Sequence, residues 1–429
     1  MQIISPQSQA LLGFLSHAAS WLGPIWSRAW WFVLPFFLGP IFWNRWLFYI
    51  NRLFMKNVSW TLLAVRVPQN VLKTPKAMEQ VFAAAHGIYS FGFRLYDKYW
   101  NGAAQLSASF EIMADAEGPH FYIRVPSDAR QMVEAAIYAQ YPDAEVEEAQ
   151  DYVERFPAVL PNDMYDIQGA DYILAGDDAF PIRTYEYFDA VNEDEKMDTI
   201  STLMEALSHH AGDETTWIHV MVRPVAGGTS DWVKKAQATR DKIIGRTGDA
   251  KPTAGEHIWA YFTNFIPALM GKDLEWPEKK KGEKPALAPL TLSEKDKIEA
   301  IDRKTAKLAF ETVIRWVYID RKDRLDGSRT KGMAAWAKQF VDENTNGLRP
   351  NIATLTVANR QPFKKRKAYI KKRKIWEFAR GRKFPKKFSV MNTEELATIY
   401  HFPSAIVKTP MLGRIEAKKG TPPASLPIE

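Results

Sequence analysis

Four stretches in the first part of the chain carry strand patterns. Trp60 to Val67 (WTLLAVRV) is rich in β-formers, and Leu106, Ala108, Phe110 and Ile112 alternate with polar or small residues. HFYIRV alternates again behind a turn at Glu117-Gly118, and a short run from Ala144 to Glu148 follows Pro142. Alternation is the period of a half-buried strand. Two helices are interleaved with these strands. Thr74 and Pro75 supply an N-cap and a first helical position for a helix to about Ile88, and Ser127 caps SDARQMVEAAIYAQ. The order β-α-β-β-α-β is the split βαβ, or ferredoxin-like, arrangement.

The pattern recurs downstream. A strand in PIRTYEYF, a helix from about Asp194 to His210 and a strand in TWIHVMVRPV are followed by a strand in AFETVIRWVYI, a helix in RTKGMAAWAKQFVD and a strand in NIATLTV. The order is the same if residues from about 226 to 307 are an insertion between the second and third strands. Within it lie a helix from Ser230 to Ile244, an apolar run of 13 residues from Ile258 to Met270, and a Lys/Pro/Glu-rich linker from Glu275 to Leu290. The apolar run is too short to cross a bilayer and reads as a core or docking helix, with an interfacial helix as the alternative. The expected fold class is α+β, with one ferredoxin-like module at 58–160, a second at 161–362 carrying the insertion, and a basic segment and extension at 363–429.

Residues 1–57 read as a membrane anchor. Ala29 to Ile50 is a largely apolar stretch of 22 residues, about 33 Å as a helix against a hydrocarbon core of about 30 Å. Trp30, Trp31, Trp43 and Trp46 stand toward its ends as an aromatic belt, with Phe36 and Phe37 inside it. Pro35 and Pro40 leave a re-entrant hairpin or an interfacial helix as alternatives. Arg45, Arg52 and Lys56 follow the segment and Arg28 precedes it, so the positive-inside bias puts the large carboxy-terminal portion in the cytoplasm. The lipid bilayer is the partner this implies.

Charge adds a second signal. Hydrophobic residues make up 46% and charged residues 25% of the chain, an ordinary globular balance, and the lack of cysteine excludes disulfide scaffolds and thiol nucleophiles. Residues 1–78 hold seven basic residues and no acid, while Lys364 to Lys387 hold thirteen Lys or Arg against Glu377 alone. The total is +7, so the +7 of the first stretch and the +12 of the second leave −12 for the rest. Basic ends on an acidic body point to anionic partners.

In KKRKAYIKKRKIWEFARGRKFPKK the cations Lys364, Lys365, Arg366, Lys367, Lys371, Lys372, Arg373, Lys374, Arg380, Arg382 and Lys383 are interleaved with aromatics, among them Trp376 and Phe378. Three readings are open. The cations neutralise nucleic-acid phosphates while the aromatics stack on bases; the tract meets an anionic bilayer or an acidic protein; or the aromatics pack on the body beneath a solvated charged face.

Catalytic signals are weak. IIGRTGDAKPT places Lys251 as a phosphate-binding loop would, but Ala250 replaces the required glycine and Pro252 removes both a hydroxyl and a backbone donor, so ATP binding is not expected. His209-His210 has no metal-ligand spacing and reads as a pair at a helix end, and Glu193-Asp194-Glu195 reads as a helix start. No cofactor, metal or enzymatic activity is expected.

ELATIYHFPSAIVKTPMLGRIEAKKGTPPASLP at the far end, and FYIRVPSDARQMVEAAIYAQYPDAEV at 121–146, resemble the region ahead of the ATPase domain in conjugative type IV secretion proteins of the Patescibacteria. That region is an uncharacterised domain, commonly followed by a motor domain. The resemblance implies a non-catalytic, membrane-anchored subunit of a DNA transfer machine in the bacterial cytoplasmic membrane, with a separate motor ATPase, other machine subunits and DNA as partners. A membrane-tethered nucleic-acid-binding protein outside such a machine is the alternative, and an enzyme of unrecognised class a third.

Overall fold

The computed structural model describes residues 31, 38–68, 73–90, 92–188, 198–226, 230–244, 290–325, 327–356 and 363–404. The expectations at Glu193-Asp194-Glu195, around Lys251, over 258–270, over most of 275–290 and beyond Ser404 lie outside the described residues, as do Trp30, Phe36 and Phe37.

The chain divides into two units, residues 1–59 with 90–104, and residues 60–89 with 105–429. In the first, residues 38–57 are helical and Leu95–Tyr99 is a short helix. The Trp46 indole N–H donates to the Tyr99 carbonyl at 3.1 Å, and the Trp43 and Tyr99 rings lie 5.6 Å apart. Gly102, at φ +68, is required here because a Cβ would come within 2.4 Å of the Ile50 carbonyl. Among the described residues no helix is long and apolar enough to cross a membrane. This corrects the span expected from Ala29 to Ile50. The described helix begins at residue 38, runs past Ile50, and carries Asn44, Arg45, Asn51, Arg52 and Lys56, so amides and cations recur along it. The belt role assigned to Trp30, Trp31, Phe36, Phe37, Trp43 and Trp46 falls with the span; Trp43 and Trp46 serve to hold Tyr99 instead.

The second unit is α+β and is built on one antiparallel sheet of nine strands. They are β1 (Trp60–Arg66), β2 (Ala108–Asp115), β3 (Gly118–Pro126), β4 (Glu145–Glu148), β5 (Tyr165–Leu174), β6 (Thr215–Pro224), β7 (Ala309–Arg321), β8 (Leu348–Pro350) and β9 (Ser389–Asn392). Across the sheet the order is β4-β1-β3-β2-β6-β7-β5-β8, with β9 alongside the start of β7. Strands β1–β4 and β5–β8 are therefore arranged as two mirrored sets that meet where β2 pairs with β6, from Ala108↔Val222 to Ala114↔Thr216. The strands of the two expected modules share one sheet. The physical reason is that β2 and β6 would each be an edge, and both are buried on both faces; pairing removes two exposed ladders at once.

The helices are α1 (Pro75–Ala85), α2 (Arg130–Gln140), α3 (Ser201–Leu207), α4 (Asp231–Ile243), α5 (Leu292–Thr305), α6 (Ser328–Lys338), α7 (Lys364–Arg380) and α8 (Thr393–Ile399). On one face of the sheet, Phe82 of α1, Val133 of α2, Leu203 of α3, Trp336 of α6 and Leu396 of α8 share a core with Phe110, Ile123, Ile218 and Trp316. The opposite face carries a second core in which Ile375, Trp376 and Ala379 of α7 meet Trp217, Val317 and Ile319.

Two elements differ from expectation. The strand expected in PIRTYEYF is a short 3-10 turn at Tyr185–Tyr187, and the strand that fills its place is β5. The strand expected in NIATLTV is an irregular segment after β8. It still seals the edge of β5, because the Thr356 and Thr354 hydroxyls accept from the Gly169 and Asp171 amides, both at 3.0 Å.

Candidate functional site

Among the described elements α7 carries the most charged residues, and it also covers the second face of the sheet. Lys and Arg, both good helix formers, dominate its sequence. It ends in a Schellman arrangement: the Arg382 amide donates to Ala379 O at 3.1 Å and the Lys383 amide to Phe378 O at 2.9 Å. Arg382 thus occupies the left-handed position, at φ +44, that glycine usually fills.

Its side chain explains why it is there. The guanidinium donates to both Glu111 oxygens, at 3.1 and 3.0 Å, and to both Asp151 oxygens, at 2.5 and 2.8 Å. Glu111 is one end of a row of directly opposed residues running across four strands: Glu111 on β2, His219 on β6, Arg315 on β7 and Asp171 on β5. All four are fully buried. Arg315 Nε donates to Asp171 at 2.7 Å and its Nη2 to the Lys383 carbonyl at 3.0 Å, so the turn after α7 is held at two points of the row.

The proton positions follow from the partners. Tyr152 O–H donates to Glu111 at 2.6 Å, so its oxygen accepts from His219 Nε2 at 2.8 Å, and His219 is the neutral Nε2–H tautomer. Burial lowers its pKa to about 4, against the pull of Glu111. Burial alone would raise the Glu111 carboxyl, but the Arg382 guanidinium holds it well below the usual carboxylate range. Burial, with the Glu111 charge adding to it, keeps the Tyr152 hydroxyl protonated. With the Glu111 and Tyr152 oxygens committed to intramolecular partners, the row acts as a latch that seats α7.

The predicted site residues separate accordingly. Trp376 is only 2% exposed, with its indole N–H donating to Ala158 O at 3.2 Å and its ring 5.5 Å from that of Trp217; it is an anchor. Arg382 belongs to the latch. Lys372 pairs with Asp166 at 2.6 Å, Lys371 donates to the Ile352 carbonyl at 2.8 Å, and Lys383 pairs with Glu377 at 2.6 Å. Lys364, Lys365, Arg366, Arg373, Lys374 and Arg380 are exposed, Lys367 is half-buried, and among the described residues none of the seven meets a carboxylate. The sequence reading missed Glu111, Asp171, His219 and Arg315. The available signal was a charged or imidazole residue in the middle of the apolar strands β2, β6 and β7; the polar-rich β5 carried none.

Two smaller clusters complete the chemistry. Asp115, Glu117 and His120 in the β2–β3 turn bring ligand atoms within 4.8 Å of one another, but Asp115 already accepts from the Glu117 amide at 3.0 Å and pairs with Arg155 at 3.3 Å. His210 is buried, its two nitrogens 2.8 Å from Leu207 O and Thr216 Oγ1, while His209 faces Glu205.

Fold and site together define an α+β protein with one continuous antiparallel sheet and a basic helix latched onto it. The chain belongs to the DUF8128 family, a domain of unknown function, which it matches over residues 53–413. No curated protein matches the chain.

Proposed function

We propose that the protein is a non-catalytic nucleic-acid-binding subunit of a conjugation-type DNA transfer machine, contacting nucleic acid through the outer face of α7 and working with a separate motor ATPase. The observation that carries the reading is the amino-terminal turn of α7. Lys364, Lys365, Arg366 and Lys367 open the helix with no acid in its first turn. Cations there oppose the helix dipole, at roughly 0.3–1 kcal/mol each, and also repel one another. A sequence that keeps such a cluster on a well-packed helix is locally inconsistent for folding alone, and such inconsistencies concentrate at functional sites. Phosphate would relieve both costs. The machine context rests on the resemblance of the 121–146 and carboxy-terminal segments to conjugative secretion proteins. The alternative is the same nucleic-acid contact outside such a machine.

The test is the salt dependence of DNA binding by the full chain, with Lys364, Lys365, Arg366 and Lys367 all changed to Gln. Affinity should fall steeply between about 50 and about 200 mM salt, and the substitutions should lower the slope of log K on log salt by about 3. Equal affinity and slope in the two proteins would contradict the proposal.

A further inference from the structure

The outer face of α7 is one wall of a groove. Its other wall is the 158–159 segment, which the Trp376 indole holds through Ala158 O. The open space between them is about 580 Å³ and is lined by Val159, Ile370, Arg373, Lys374, Arg380 and Lys383, with Glu377 between them. Arg373 and Arg380 are seven residues apart, on one stripe of the helix and about 10.5 Å apart along its axis. Beside them are apolar and aromatic groups left open to solvent: Ile370 is 54% exposed, Tyr369 48% and Val159 43%. The acid in the groove, Glu377, is neutralised by Lys383 at 2.6 Å.

Resting on the nucleic-acid reading, we infer that this groove takes a single strand in preference to a duplex. A helix that reads duplex DNA must enter a major groove about 12 Å wide, and so has to stand proud of its body. Here Ile375, Trp376 and Ala379 bury one side of α7 in the sheet, and the 158–159 segment flanks it. A duplex laid on this surface would offer phosphates to the arginines but nothing to Ile370, Tyr369 and Val159. A single strand offers both, phosphates to Arg373 and Arg380 and unstacked base faces to the apolar groups, which is how sequence-tolerant single-strand sites are built. Arg373, whose Nη1 donates to the Tyr369 hydroxyl at 3.3 Å, steadies that ring at the rim.

The experiment compares an oligothymidine strand with a mixed-sequence duplex of equal length, by fluorescence anisotropy on the full chain. The proteins are the wild type, a Tyr369→Ala/Ile370→Ser variant and an Arg373→Ala/Arg380→Ala variant, each checked for an unchanged thermal melt. The single strand should bind about tenfold more tightly than the duplex. The first variant should lose about tenfold on the single strand while duplex binding changes less than about twofold, and the second should weaken both. Duplex binding equal to or tighter than single-strand binding, or an unaffected first variant, would overturn the single-strand inference while leaving the nucleic-acid reading standing. Failure to bind either form would overturn both.

Discussion

Arg382 carries its guanidinium at φ +44 and directs it into four hydrogen bonds with Glu111 and Asp151. A non-glycine residue in that conformation costs about 1–3 kcal/mol, so the contacts must outweigh it. Arg382→Ala would leave Glu111 buried and uncompensated, and should lower stability by roughly 3–5 kcal/mol in urea unfolding. Arg382→Gly should be less damaging, by about 1 kcal/mol, because it relieves the backbone. Pairing Arg382→Met with Glu111→Gln should recover much of the loss. An Arg382→Ala protein as stable as the parent would mean that the latch does not seat α7. At this scale the sequence was misleading. Glu111, His219 and Arg315 each stand between apolar neighbours on β2, β6 and β7, an alternation that reads as a solvent-facing side, and Asp171 stands on the polar-rich β5. They are polar because they face one another.

Among the elements, β1, β2, β3, β6 and β7 were legible because their apolar periodicity is long and local. Strand β5 was not. Its sequence YDIQGADYIL holds Asp166, Gln168, Gly169 and Asp171, a composition that argues against a strand, yet each has a partner. Asp166 takes Lys372, Gln168 accepts from the Thr330 hydroxyl, and Asp171 takes Arg315. Gly169 leaves room: a Cβ there would come to 2.6 Å from the Trp316 carbonyl and 3.4 Å from the Ile375 side chain of α7. Gly169→Ala should therefore push β5 away from the β7 backbone, lowering stability by about 2 kcal/mol or more in urea unfolding while leaving the helix charges intact. An unchanged midpoint would contradict the close approach of β5 to β7 at this position. The aromatics of the basic tract divide on the same logic. Trp376 faces the sheet at helical spacing, as the structural reading of the tract required, and Tyr369 is left on the rim. Spacing alone does not reveal which face of a helix a sheet will cover.

For the whole molecule, the charge distribution was fully legible because charge adds along the chain whatever the fold: a basic tract on an acidic body survives as a basic helix on the sheet's second face. The union of two sets of strands through β2 and β6 was hidden, since that partner choice is made between residues about a hundred positions apart. The amino-terminal span was misjudged because apolar count was weighed over the cations that share its helix. The proposed contact with an anionic polymer is the outer face of α7, and the most direct measurement is to locate that contact. Nucleic acid carrying photoactivatable bases, in single-stranded and duplex form, would be crosslinked to the full chain and the modified peptides mapped. Crosslinks are expected in peptides from 364–383, centred on Tyr369 and Arg373, and lost at high salt. Crosslinks mapping elsewhere on the chain, or none above those of an unrelated basic protein, would contradict it.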